Sequence, residues 1–174
     1  MMKKPVKYIS GVVVALLISI GMLYVNNDIG INKSKLEVNA RKSQKIEVDW
    51  QAAKGISKTM AAMIFYSKDL SDSTFSIYVN HPGLSFGYFF RAGGSVLETE
   101  EYIAECTVEG YDERAFISMN KQQVCKVEID DGNEIRTIEI DSEKPFAVVL
   151  PNNCGNVVFY NINESVVESV LYRL

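Results

Sequence analysis

The chain carries one histidine, His81, placed before Pro82-Gly83 in a turn-forming sequence. A turn imidazole works as a general base only when a partner orients it, and its neighbours supply none. A Ser-His-Asp arrangement would have to use His81, and no Gly-x-Ser-x-Gly elbow presents a nucleophile to it. Metal-ligand clusters, phosphate loops and dinucleotide fingerprints are missing as well. The reading therefore has no catalytic residue, no metal ligand and no cofactor. For acid–base work there remain the carboxylates of residues 98–131, two of which could divide acid and base roles in a hydrolase.

The local composition most suited to binding follows His81. Residues 81–94 crowd Phe86, Tyr88, Phe89 and Phe90 together with Arg91 and four glycines. The plain interpretation is a central strand with bulky side chains on both faces and glycine where chains approach closely. The functional one is an exposed aromatic rim, with His81, Phe86, Tyr88, Phe90 and Arg91 stacking on a sugar ring or clamping a peptide.

Asp130-Asp131-Gly132-Asn133-Glu134 resembles a calcium loop in composition, but lacks the alternating ligands and distal glutamate of an EF-hand. A hairpin turn is the better reading. Three cysteines, Cys106, Cys125 and Cys154, are too widely spaced for a metal site. Cys106 alternates with Ala104 and Val108, and Cys125 with Val127 and Ile129, so both are expected on apolar faces. A Cys106–Cys125 disulfide is the favoured pairing, leaving Cys154 exposed in the turn Asn152-Asn153-Cys154-Gly155.

The elements that must hold these residues read as strands. Phe75, Ile77 and Val79 alternate with Ser76, Tyr78 and Asn80. Residues 84–90, 102–108 and 146–150 are further strands, with 46–50 and 59–66 as weaker candidates. The clearest unit is the hairpin 125–140, whose apolar residues fall at alternate positions on either side of Asp131-Gly132. Residues 156–161 and 166–172 suggest a last hairpin, since Val166, Val167 and Val170 favour strand over helix. Eight or nine short strands with frequent turns predict an all-β, antiparallel β-sandwich of the immunoglobulin-like or jelly-roll sort.

Charge and hydropathy set the surroundings. Lys3, Lys4 and Lys7 precede an uncharged apolar run at residues 8–25, which as a helix spans about 27 Å, close to a bilayer core. Basic residues before the run predict that the amino end stays in the cytoplasm and the rest lies outside. The Gly21-Met22-Leu23-Tyr24-Val25 stretch lacks the small residues of a cleavage site, so an uncleaved signal-anchor is preferred to a secreted form. The expected organisation is residues 1–25 as cytoplasmic tip and membrane helix, 26–45 as a polar tether, partly helical at 33–42, and 46–174 as the extracytoplasmic β domain.

Residues 46–174 hold ten basic side chains against twenty acidic ones, which excludes nucleic acid as a partner. The tether is opposite in sign, with Lys33, Lys35, Arg41, Lys42 and Lys45 against Asp28 and Glu37. Its basic residues could rest on lipid headgroups. The functional expectation is a membrane-anchored, non-catalytic interaction module for an envelope or extracellular protein or glycan. A carboxylate-pair hydrolase and a structural subunit of a membrane complex are the alternatives.

Overall fold

A computed structural model describes residues 16–18, 30–80, 87–95 and 102–174. The fold is mostly β. Besides the helical residues 16–18, the described residues form a short 3-10 turn, Lys33–Lys35, a helix α1, Leu36–Gln44, and twelve strands. The strands are β1 Gln51–Ile56, β2 Met60–Tyr66, β3 Ser73–Asn80, β4 Tyr88–Ser95, β5 Ile103–Thr107 and β6 Glu113–Ser118. They continue as β7 Val124–Asp130, β8 Ile135–Glu139, β9 Phe146–Pro151, β10 Asn156–Asn161, β11 Val166–Val167 and β12 Ser169–Arg173.

These form three four-stranded sheets rather than two, ordered β1-β2-β3-β4, β12-β5-β6-β9 and β11-β10-β7-β8. Sandwich packing is as expected, but the second sheet is buried on both faces. Ala104, Cys106, Ala115, Ile117 and Ala147 meet Met60, Ala62, Ile64 and Ile77 of the first sheet. On its other side Ile103, Phe116, Phe146 and Leu150 meet Val127, Ile129, Phe159 and Val167 of the third. Small residues let the first two sheets approach closely. A Cβ on Gly55 of β1 would lie 2.9 Å from the Ala147 carbonyl oxygen of β9.

Burial on two faces explains why strand periodicity fades in the sequence. All seven residues of β2 are buried, because Met60, Ala62 and Ile64 face the second sheet while Ala61, Met63 and Phe65 face α1. The helix arises in the basic segment. Asn32 Oδ1 accepts the Ser34 N–H at 3.1 Å to start the 3-10 turn, and Leu36 and Ala40, one helical turn apart, are buried on the first sheet. A left-handed Lys45 ends it, with the Ile46 N–H donated to the Arg41 carbonyl. The segment expected as a tether thus contributes part of the core from Gly30 onward.

Three strand expectations need correction. Residues 46–50 form a turn rather than a strand, and β1 begins at Gln51. The last hairpin is cut short: β11 pairs with β10, but the chain then changes sheet, and β12 runs parallel to β5. β6, central to the middle sheet, was not foreseen. The hairpin β7–β8 is present, with Gly132 at φ 86° in its turn. The membrane run at residues 8–25 falls outside the described residues except for Leu16, Leu17 and Ile18, which are helical and each more than half exposed. Among the described residues no helix is long and apolar enough to cross a membrane.

Candidate functional site

His81 and Phe86 lie outside the described residues. The structure separates the other three members of the expected aromatic rim. Tyr88 is 5% exposed beneath α1, and its hydroxyl donates to the Ser57 carbonyl at 2.5 Å. Phe90 is 52% exposed, its ring edge-on to Tyr78 with centroids 5.5 Å apart.

Arg91 is exposed for a specific backbone reason. In the β3–β4 ladder Ile77 faces Ala92 and Tyr78 faces Phe90, so Arg91 is the extra residue of a β-bulge. A bulge on an edge strand re-aims a side chain away from the pleat. Tyr111 feels the guanidinium: burial raises its phenol, and the nearby Arg91 charge pulls it partly back. Phe90 and Arg91 are therefore both exposed on the outermost strand of the first sheet, Phe90 against Tyr78 and Arg91 near Tyr111.

A recess elsewhere on the domain was not legible in the sequence. Lys33, Ser57, Lys58, Thr59, Asp112, Glu113, Pro151 and Asn153 line an open cleft of about 640 Å³ at one end of the sandwich. Glu113 Oε2 accepts hydrogen bonds from both the Ser57 and Thr59 hydroxyls. Ser57 Oγ also accepts the Met60 N–H at 2.9 Å within the β1–β2 turn, and the Glu113 contacts hold that turn against β6. Asp112 and Glu113 belong to the acidic segment considered for a carboxylate pair. No sequence signal joins Ser57 and Thr59 to an acid more than fifty positions away; only the stacking of two sheets does.

Arg114, next to Glu113, is likewise structural. It pairs with Glu105 at 2.9 Å and lies over the Phe116 ring at 5.4 Å. Burial pulls its guanidinium down, and the hydrogen bond it donates to Glu105, with the Cys154 sulfur nearby, more than offsets that.

All three cysteines are free, and the expected Cys106–Cys125 bridge is absent. Cys106 is buried between the first two sheets, whereas Cys125 belongs to the third. A bulge accounts for the misplaced expectation. Tyr160 pairs with Lys126 and Asn161 with Val124, so Cys125 drops out of the ladder and Val124 takes the buried position. Cys154, expected exposed, is buried against the second core cluster.

Asp130 and Asp131 of the β7–β8 turn spend carboxylate oxygens on the N–H groups of Gly132, Asn133 and Glu134. Among the described residues, no group of three or more His, Cys, Asp or Glu side chains could hold a metal ion. The chain matches no known family model, and no curated protein or solved structure matches it.

Proposed function

We propose that this chain is a single-pass membrane protein whose β domain stands outside the membrane and acts by binding rather than by catalysis. The observation that carries the reading is the exposure of Phe90 and Arg91, adjacent in sequence, on an edge strand. A half-exposed phenylalanine beside a bulged arginine on an edge strand suits a protein segment or a glycan, through ring stacking and charge-assisted hydrogen bonds. The sandwich then serves as an immunoglobulin-like or jelly-roll domain serves, as a rigid frame presenting edge and loop contacts. Support for the anchor comes from the uncharged run at residues 8–25 and from Leu16, Leu17 and Ile18, helical and each more than half exposed.

Phe90→Ala combined with Arg91→Ala is the test. Crosslinking in intact membranes followed by pull-down of the full chain should recover a partner with the parent, and about tenfold less with the double variant at unchanged thermal stability. Equal recovery removes the surface from the reading. A competing hydrolase reading would use Asp112 and Glu113, since both line the 640 Å³ cleft. Glu113 is already committed to two hydroxyls, which favours a structural role for it.

A further inference from the structure

The solvent face of α1 has a composition its sheet-facing side does not share. Lys35, Val38, Lys42 and Lys45 are exposed at spacings of three, four and three residues, which places them in one stripe along the helix. Val38 is 68% exposed at the centre of that stripe. The other cation of the helix is engaged: Arg41 bonds Glu37, which also takes Lys54 at 2.9 Å. Among the described residues, Lys35 and Lys42 enter no ion pair.

The stripe also lies where the chain enters the fold. Ile31 and Tyr88 exchange two backbone hydrogen bonds, 2.8 and 2.9 Å, which pin the entering strand to β4. Gly30 permits this, since a Cβ there would meet the Gly87 carbonyl carbon at 2.7 Å. Between this anchored entry and α1 runs a groove of about 410 Å³, bounded by Gly30 and Ile31 on one side and by Lys35, Val38 and Lys42 on the other. From Val25, where the apolar run ends, to Gly30 the chain reaches at most about 18 Å when fully extended. The groove is therefore held near whatever surface the apolar run enters.

We infer that the Lys35–Val38–Lys42 face of α1 docks on the phosphate groups of an anionic phospholipid bilayer, which fixes the domain's orientation on the membrane. This rests on the anchored reading above and adds a lipid class to it. Charge complementarity selects the occupant and the pose. Residues 46–174 carry twice as many acids as bases, so an anionic bilayer repels that part while attracting the helix stripe. Val38 adds a small apolar contact among the headgroups.

The full chain is reconstituted into vesicles of phosphatidylcholine alone and of an equal phosphatidylcholine–phosphatidylglycerol mixture, floated, and treated with a membrane-impermeant amine reagent. Flotation in both compositions is expected from the anchor. In the mixture, modification of Lys35 and Lys42 should fall about fivefold or more relative to Lys144, and molar salt should restore it. Lys144 is the internal reference because it lies in the link between β8 and β9, outside the sheet on which α1 packs. Chains that float yet label equally in both lipids overturn the docking and leave the anchor standing. Protection that follows protein density rather than lipid charge assigns the face to a second copy and also overturns it. Chains that do not float overturn the anchor and the docking together.

Discussion

Cys106 and Cys125 are separated by the central sheet: the first packs between sheets one and two, the second sits on β7 of sheet three. Neither side chain can reach the other without passing through that sheet. We expect the folded chain to show the same gel mobility with and without reductant. Alkylation at pH 8 should leave Cys106 at least about 100-fold slower than an ordinary thiol, because its thiolate fraction is depressed and it is buried. A crosslinked peptide joining residues 106 and 125 would contradict the sheet arrangement.

The same thiol gives a pH dependence with a definite sign. Burial, with Glu105 second, pushes Cys106 up to about 11 from an ordinary 9.0. Between those values the folded state keeps a proton that the unfolded state has lost, so stability falls as pH rises from 9 to 11 and is insensitive to this group below 9. Cys106→Ala should flatten that decline by up to about 3 kcal/mol across the window, read from urea midpoints at successive pH values. Burial raises Tyr66, Tyr78 and Tyr88 in the same direction, so the parent should lose more than the single thiol accounts for.

Glu113 joins two sheets through the Ser57 and Thr59 hydroxyls. Glu113→Ala leaves both donors to water and should cost about 1–3 kcal/mol in denaturant unfolding. Glu113→Gln keeps an acceptor oxygen and should cost less than half of that. Equal losses for the two variants would mean the site depends on charge rather than on hydrogen bonding.

The parts of the fold that are legible in the sequence are those that leave a local signature, even where, as in β3 at residues 76–79, both faces are buried. Phe75, Ile77 and Val79 marked β3, and Asp131-Gly132 marked the β7–β8 turn, because period-two alternation and positive φ leave local signatures. β6 left none: Ala115 and Ile117 serve one core, Phe116 serves the other, and Arg114 is neutralised by Glu105 across the strand pair. A helix is expected at residues 33–42, but only as part of a tether; its docking on the first sheet leaves little signal because two buried residues, Leu36 and Ala40, suffice to seat it.

The site divides along the same line. Phe90 and Arg91 stood out by composition, yet the bulge that exposes Arg91 depends on its pairing with β3. Tyr88 looked identical to Phe90 in sequence, and only the Ile31 bridge and the cover of α1 place it inside. The Ser57–Glu113 cleft joins distant segments, so no window of sequence contains it.

The account stands or falls on which side of a membrane the β domain occupies. A protease-cleavable epitope fused after Leu174 should be removed by protease added to cells with a sealed cytoplasmic membrane, while a cytoplasmic marker survives. An epitope that persists until the cells are lysed, and is lost only then, would contradict the anchored, outward-facing assignment.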